Sequence, residues 1–267
     1  MTLVNLTRKL RSKDSHCDGT RTGLQLINEL SAFYPDELDA VVRDVKETLE
    51  ILREHQAIFA TSYEYEFCIC AIFYNESAII KQWIEHHLLF GCQHFYLIDN
   101  NSTDNTVDVL EEYISKGLVT LVDEPRPYRQ HFAYDEYFLS KIRDETRWIA
   151  IIDIDEYLYP RNGEGDIRQV LENNNNVDAL AVPWLHFGSS GHIAQPENIV
   201  DSFIWRCDYN KKGWTSFKTL GRTASLAYAD PDKIGTPEGR VLGIHSQRLK
   251  PGSNFIPSFS RHHRFVL

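Results

Sequence analysis

The sequence predicts a three-layer α/β fold in which helices cover both faces of a mostly parallel central sheet. Two observations indicate this class: from residue 67 onward, short apolar runs alternate with helix-like segments, and most of the runs end at a carboxylate. With 267 residues, of which 42% are hydrophobic, the chain can form one large or two small domains. We divide it into an N-terminal helical extension, residues 1–60, and an α/β domain, residues 61–267.

The N-terminal extension is predicted to contain one amphipathic helix. Pro35, followed by Asp36 and Glu37, suits its first turn, because a missing N–H costs nothing there and acidic groups favour the helix dipole. We expect this helix to pack on the main domain or to form a dimer contact. Its apolar stripe recurs at steps of three and four residues and consists of Leu38, Val41, Val42, Val45, Leu49 and Leu52.

Four apolar runs are predicted to form the first strands of the sheet, because a strand buried on both faces reads as continuously apolar. They are Phe67–Tyr74, His94–Asp99, Leu118–Asp123 and Arg147–Asp153. Residues 178–187 predict a further strand after a polar turn. The remainder of the chain is punctuated by glycine and proline and carries no clear pattern.

Three helices are predicted between these strands. The first is expected to begin after a Ser77 cap and to end at Gly91. The second spans Thr106–Ser115 and the third Gln130–Asp144. The apolar face of the first helix consists of Ile80, Trp83, Ile84, His87 and Leu88.

Composition and missing motifs exclude several classes of protein. A net charge of −10 argues against a general nucleic-acid binder, and no apolar run approaches the length of a membrane span. Neither a Gly-x-Gly-x-x-Gly nor a phosphate-cradling Gly-x-x-x-x-Gly-Lys occurs, which disfavours dinucleotide dehydrogenases and P-loop NTPases. The Gly-x-Ser-x-Gly elbow of serine hydrolases is also missing.

The cysteine pattern favours reduced thiols. The five cysteines are odd in number and show no Cys-x-x-Cys spacing, so neither a disulfide framework nor a structural zinc site is indicated. His86, His87, Cys92 and His94 cluster in sequence, but the first two are adjacent on a predicted helix and point in different directions. We therefore do not expect them to bind a metal.

The strongest local signal is the segment Trp148–Leu158, in which a buried strand runs into Asp153-Ile154-Asp155-Glu156. In an extended segment Asp153 and Asp155 would face the crevice at the carboxyl end of the sheet together, with Ile154 in the core. Two close carboxylates raise each other's pKa, and a divalent cation resolves the conflict. Oxygen ligands of this kind suit Mg²⁺ or Mn²⁺.

In order along the chain, these motifs resemble those of glycosyltransferase family 92, within the GT-A (Rossmann-like) fold group. The matching stretches are AIFYNESAIIKQWIEHHLLFGCQHFYLIDNNSTDNT, QHFAYDEYFL, WIAIIDIDEYLYP and PWLHFGSSGH. The resemblance covers residues 67–250. It implies transfer of a hexose, with galactose as the example, from a UDP-linked or similar nucleoside diphosphate sugar, with inversion at the anomeric carbon.

The resemblance also implies roles for individual residues. Asp155, Asp153 and His245 would form the metal site, with Asp153 also near the ribose, and Lys218 would meet the diphosphate. Asn75, Glu76 and Asp99 would hold the nucleoside. The pocket for the donor sugar and the acceptor would be shaped by Trp184, Gly188, Ser189, Ser190 and His192. Residues 202–267 carry a net charge of +7, which would oppose the charge of the leaving diphosphate.

Other interpretations stay open at this stage. Lys218 could belong to a solvated basic face and His245 to the core, and an inverting reaction needs a general base, for which Glu156, Glu197 and Asp201 are the candidates. The chain could also be a catalytically decayed protein that binds nucleotide sugars or carbohydrates. A nucleotidyltransferase is a third hypothesis, but it usually needs a glycine-rich basic loop where this chain has Tyr74–Ser77.

We expect a cytoplasmic protein without a membrane span. Its N-terminus lacks the apolar segment of a signal peptide, and glycans on the sequons that begin at Asn75, Asn100 and Asn101 would obstruct the predicted crevice. The expected partners are a nucleotide-sugar donor and a glycan acceptor, with no nucleic acid.

Overall fold

The computed structural model describes residues 63–160, 165–207, 217–227, 241–243, 247–256 and 265–266, with a few positions between 28 and 45. The chain divides into two compact units, Met1–Thr61 and Ser62–Leu267. In the first unit, Val41 and Val45 are helical and buried. The rest of the predicted stripe, apart from Val42, lies outside the described residues, so the helical extension stays a prediction.

The second unit is built on a seven-stranded sheet with the order β3-β2-β1-β4-β7-β6-β8. Strands β1 to β4 are parallel to one another, and β7 runs antiparallel to both of its neighbours. The α/β class with a mostly parallel central sheet is therefore confirmed. The strands are β1 (Tyr65–Phe73), β2 (His94–Asp99), β3 (Val119–Asp123), β4 (Thr146–Ile151), β5 (Tyr159–Pro160), β6 (Ala179–Pro183), β7 (Phe217–Arg222), β8 (Phe255–Ile256) and β9 (Phe265–Val266), with β5 and β9 paired apart from the sheet.

The helices lie on both faces of the sheet, and β1 shows why. Alternate residues of a strand point to opposite faces. On one face Phe67, Ile69 and Ala71 pack with the buried side chains of α1 and α2, and on the other face Cys68 and Cys70 pack with α3. The helices are α1 (Ile80–Leu89), α2 (Thr106–Ser115), α3 (Gln130–Glu145), α4 (Ile167–Glu172) and α5 (Ile199–Ser202). The four described cysteines are free thiols, as predicted.

The start of α1 differs from the prediction, because Ser77 does not cap it. A turn precedes the helix, in which the carbonyl of Glu76 accepts the N–H groups of Ile79 and Ile80 at 3.0 and 2.9 Å. The predicted end is confirmed: Gly91 has φ +97, and an added Cβ there would lie 2.0 Å from the carboxylate of Asp166.

Two further differences concern the second half of the sheet. The predicted strand over 178–187 ends at Pro183, where the chain turns toward a hairpin, and β4 ends at Ile151 rather than at Asp153. Strand β7 was not predicted, because Phe217–Arg222 alternates basic, polar and apolar residues without a clear period. It brings Lys218 beside the end of β4.

Candidate active site

The candidate site lies at the carboxyl ends of the parallel strands, where ligands bind in open α/β sheets. The segment after β4 is a turn, with the N–H of Glu156 donating to the carbonyl of Asp153 at 3.1 Å. The expectation of an extended segment is therefore wrong. The turn exposes Asp155 to solvent, leaves Asp153 half-buried and buries Ile154.

Asp153 has a cationic partner within the chain. The ammonium of Lys218 lies 2.8 Å from Oδ2 of Asp153 and 3.1 Å from Oε2 of Glu156, and the lysine side chain is fully buried. Its ammonium also lies 5.9 Å from the ring of Trp184. Lys218 is therefore not part of a solvated basic face. It neutralises Asp153, for which the motif predicts a metal ion as the partner.

The side chain of Glu156 also stabilises this turn. Its Oε2 accepts the N–H of Asp153 at 2.8 Å, and 12% of its side chain is exposed. Burial raises the pKa of Glu156 to about 7, although the charge of Lys218 works in the opposite direction. A carboxyl with a pKa near neutrality can exchange a proton at physiological pH.

Asp155 belongs to a second, acidic group that has no lysine beside it among the described residues. Partial burial and the charges of Asp155 and Asp104 raise the pKa of Glu76. Burial, followed by the charges of Asp155 and Glu76, raises the pKa of Tyr157, whose hydroxyl is buried without a described hydrogen-bond partner. This side of the turn therefore carries negative charge that a bound cation would relieve.

The donor set fits a hard divalent cation at Asp155. Asp155 is an exposed carboxylate, and partial burial together with the charge of Asp155 raises the pKa of the nearby Glu76 carboxyl. Carboxylate ligands of this kind suit Mg²⁺ or Mn²⁺, which usually keep several waters. Asp153 is already paired with Lys218, and His245 lies outside the described residues. Within the described ranges, no three His, Cys, Asp or Glu side chains form a complete metal cage.

The residues predicted to hold the nucleoside tie two crevice loops together. Asn75, at φ +56, accepts the N–H of Thr103 on its Oδ1 at 2.7 Å, and its own N–H donates to Oγ of Ser102 at 3.0 Å. Asp99 is buried and accepts the N–H of Ser102 on Oδ1 at 2.9 Å. Asn75 thus links the loops after β1 and β2 to each other, while Asp99 stabilises the loop after β2.

The residues predicted for the sugar pocket lie on the segment from Trp184 to Cys207, which follows β6. An antiparallel bridge between Phe187 and Arg206 closes it, and we call it the hairpin. The N–H of Gly188 donates to the carbonyl of Trp205 at 2.8 Å, and Oγ of Ser190 accepts the N–H groups of Ile204 and Trp205, each at 2.9 Å. The carbonyl of Ser189 accepts the N–H of His192. Ser190 therefore shapes the turn, while Trp184 is the member that reaches Lys218.

The remaining general-base candidates make no described contact with the turn after β4. Glu197 is exposed, and Asp201 is exposed and exchanges hydrogen bonds with Asn198 at the start of α5, at 2.5 and 3.1 Å. Of the three candidates, Glu156 is the one in contact with Asp153 and Lys218.

Two structural features of the site were missed from the sequence. Glu124, fully buried after β3, accepts two hydrogen bonds from the side chain of Arg126, at 2.5 and 2.7 Å, and its backbone carbonyl accepts from Asn100. The side chains of Trp83, His86 and His87 contact the backbone after the Asp-x-Asp turn. The charged residues after β3 are a signal in the sequence for the first feature, whereas the helical pattern places His87 on an apolar face and gives no sign of the backbone that it contacts.

Comparison with known proteins gives the family. A model of glycosyltransferase family 92 matches residues 63–222, which include every element from β1 to β7. The chain belongs to glycosyltransferase family 92. A family 92 protein of Ricinus communis is 27% identical over 209 residues, which cover 72% of this chain and 34% of that protein. A rice family 92 protein is 29% identical over 202 residues, 72% of this chain and 31% of the relative.

A second group of relatives carries the name of an activity. A galactan beta-1,4-galactosyltransferase of Arabidopsis thaliana is 27% identical over 166 residues, which cover 56% of this chain and 32% of that protein. The chain thus spans about a third of the length of the curated relatives it matches. In the described part of the chain, no helix is long and apolar enough to cross a membrane.

Solved structures show more distant likeness. S. aureus TarS in complex with UDP is 13% identical, with a TM-score of 0.42 over 72% of this chain and 60% of that chain. A Pyrobaculum calidifontis mannosyltransferase in complex with GDP-Man and Mn²⁺ is 17% identical, with a TM-score of 0.32 over 49% of this chain and 40% of that chain.

Proposed function

We propose that this family 92 chain is a metal-dependent, inverting glycosyltransferase that moves a hexose from a nucleoside diphosphate sugar to a glycan or another hydroxyl acceptor. The proposal depends above all on the division of charge at the turn after β4. Lys218 neutralises Asp153, while Asp155 stays exposed beside Glu76. The family of the chain and the position of this turn at the carboxyl end of the sheet also support this function.

Asp155 would hold Mn²⁺ or Mg²⁺, with Glu76 close enough to share its charge, and the bound ion would offset the negative charge of the diphosphate. Asp153, held by Lys218, would then be free of a metal and could accept a hydrogen bond from the ribose. Lys218 is buried, so we assign it to orienting Asp153 rather than to direct contact with the diphosphate.

Glu156 is our candidate for the general base that takes the proton of the acceptor hydroxyl. Its raised pKa, near 7, suits that role, and its Oε2 is fixed by Lys218 and by the N–H of Asp153. Glu156→Gln keeps the side-chain volume and an acceptor oxygen but cannot take the proton. We expect kcat to fall by about a hundredfold or more, with donor binding retained.

UDP-galactose is the donor we expect. The galactan beta-1,4-galactosyltransferase relatives support galactose, and the resemblance to family 92 supports UDP. The hairpin from Trp184 to Cys207, which exposes Phe187 and Trp205, is the surface where we expect the acceptor to bind. Aromatic rings of this kind can stack on sugar faces.

We also propose a cytoplasmic setting. The side-chain amides of Asn75 and Asn100 each donate a hydrogen bond within the crevice loops, to Thr103 and to the carbonyl of Glu124. A glycan on either nitrogen would break these contacts. Mass spectrometry of the natively expressed protein would test this: glycans at these sequons would contradict it.

Calorimetric titration of UDP, GDP and dTDP, with Mn²⁺ and again with EDTA, tests the proposed function. We expect one nucleotide, UDP, to bind only with Mn²⁺, and Asp155→Ala to abolish that binding. Glu111→Ala, which removes an exposed carboxylate from α2, is the matched control and should bind as the wild type does. Binding that survives EDTA would contradict metal dependence, and no binding at all would favour a catalytically decayed protein.

A further inference from the structure

Helix α1 contacts the backbone that follows the Asp-x-Asp turn through three ring nitrogens. Nε1–H of Trp83 donates to the carbonyl of Glu156 at 2.8 Å. Nε2 of His87 accepts the N–H of Leu158 at 3.0 Å, and Nε2 of His86 lies 3.1 Å from the carbonyl of Leu158. Three side chains from a stretch of five residues thus hold three backbone groups, one of Glu156 and two of Leu158.

The tautomers of both histidines follow from these partners. Nδ1 of His87 lies 2.8 Å from the carbonyl of Trp83, one turn earlier in the helix, so it must be the donor nitrogen. Nε2 of His87 is then free to accept, which requires a neutral ring, and burial lowers the pKa of His87 well below its usual range. His86 must donate through Nε2, because a carbonyl can only accept.

The side chain of Tyr157 is held between the same two rings. Its ring centroid lies 5.1 Å from that of His86 in an edge contact and 6.1 Å from that of His87 in a stacked contact. Tyr157 directly follows Glu156 and lies two positions after Asp155, so its backbone cannot shift without moving both residues. Within the turn itself, the described backbone bond is the one from Glu156 to Asp153.

We propose that Trp83, His86 and His87 form a positioning clamp for residues 156–158, which fixes the direction of the Asp155 and Glu156 side chains. The inference rests on the proposed function, in which these two carboxylates meet the cation and the acceptor. A small divalent cation demands near-ideal ligand geometry, and residues that orient a ligand typically change metal affinity by 10–100-fold when removed.

The competing explanation is that His87 is an ordinary buried histidine that stabilises the core. His94 provides the matched control, because it is buried and hydrogen-bonded through both nitrogens, to the carbonyl of Gly117 and to Oγ1 of Thr120. It begins β2, at the opposite end of the parallel strands from the site. A change at His94 therefore perturbs the core without touching the turn.

Hydrogen exchange tests the clamp without any ligand. We expect His87→Leu to speed exchange of the amides in residues 153–159 by at least tenfold, and His94→Leu to leave that segment unchanged. His87→Gln, which keeps an acceptor oxygen, should restore part of the protection. Equal exchange in the two leucine variants would overturn the proposal. His86→Ala, at a half-exposed position, gives the same test if His87→Leu does not fold.

Binding of UDP with Mn²⁺ then tests the consequence. We expect His87→Leu to weaken metal-dependent binding by about tenfold and His94→Leu to leave it unchanged. If Asp155→Ala abolishes binding while His87→Leu retains full affinity, the clamp does not position Asp155 and the proposal fails. If the wild type does not bind UDP, the proposed function fails, while the exchange measurement still decides whether the clamp exists.

Discussion

The two sides of the candidate site are held in different ways. On the side of β1 to β4, buried strands and the buried face of α1 fix the turn that carries Asp153 and Asp155, and Lys218 contacts this turn from β7. On the side of the hairpin after β6, the hydroxyl of Ser190, a few backbone bonds and the side chain of Gln82 hold a loop whose Phe187 and Trp205 are 44% and 69% exposed. From this difference we infer that the first side holds the carboxylates in fixed positions. The second side is a surface on which substitutions should change the free energy of unfolding little.

The largest expected effect is on the buried side, at Lys218. Lys218→Met would leave Asp153 and Glu156 without their cation, and breaking a buried ion pair by removing one partner typically costs about 3–5 kcal/mol. Because 35% of the Asp153 side chain is exposed, water offsets part of that cost, and we expect about 3 kcal/mol. Urea unfolding measures the change.

The double variant of Lys218→Met with Glu156→Gln separates charge from packing. If the loss comes from the unpaired carboxylates, the second change should restore about 1 kcal/mol or more, because it removes one of them. If the loss comes from packing against Trp184, the two changes should simply add. A Lys218→Met variant as stable as the wild type would mean that the buried pair contributes nothing.

The next effect is at the end of α1, where Gly91 allows the chain to turn toward β2. Its φ of +97 is unfavourable for other residues, and a Cβ would lie 2.0 Å from the carboxylate of Asp166. We expect Gly91→Ala to cost about 2 kcal/mol in urea unfolding. Gly117→Ala, also at positive φ but with no atom within 4 Å of the added Cβ, is the control and should cost about 1 kcal/mol.

The sequence predicts the elements around the site better than it predicts the contacts between them. Continuous apolar runs located β1 and β2, and the helix bounds Thr106–Ser115 were predicted correctly, because local periodicity determines such elements. The partner of Asp153 could not be predicted, since Lys218 lies 65 positions away on a strand without a clear pattern. The extended form expected for Asp153 to Asp155 failed for a related reason: the turn itself is local, but Lys218, Trp83 and His87, which contact Glu156 and Leu158, are distant in sequence.

A smaller effect is expected when the pH is lowered. Burial lowers the pKa of His94 below its usual value near 6.5, and it lowers the pKa of His87 well below that value. The unfolded chain therefore binds protons that the folded chain does not, and stability falls as the pH drops below about 6.5. Glu156 acts in the opposite direction, because its raised pKa, about 7, favours the folded state at lower pH.

His94→Leu isolates the histidine contribution. Its free energy of unfolding should fall less steeply between pH 7 and 5.5 than that of the wild type, because one group that must bind a proton on unfolding is gone. Urea unfolding at several pH values gives both slopes. Identical slopes would mean that the burial of His94 does not contribute to the pH dependence.

The smallest effect on stability is expected on the exposed side, at Trp205. Its side chain contributes little packing, so Trp205→Ala should change the free energy of unfolding by no more than about 0.5 kcal/mol. If the hairpin binds the acceptor, however, the same change should raise the KM for the acceptor by about tenfold, since stacking on an aromatic ring is lost, and leave the KM for the donor unchanged. Tyr128→Ala, at another exposed aromatic residue, on the loop before α3, is the control. An unchanged acceptor KM in Trp205→Ala would move the acceptor surface away from this hairpin, whereas a lower melting temperature would show that Trp205 packs in solution. Only a change in acceptor KM at full stability would establish that the two sides differ in role as well as in construction.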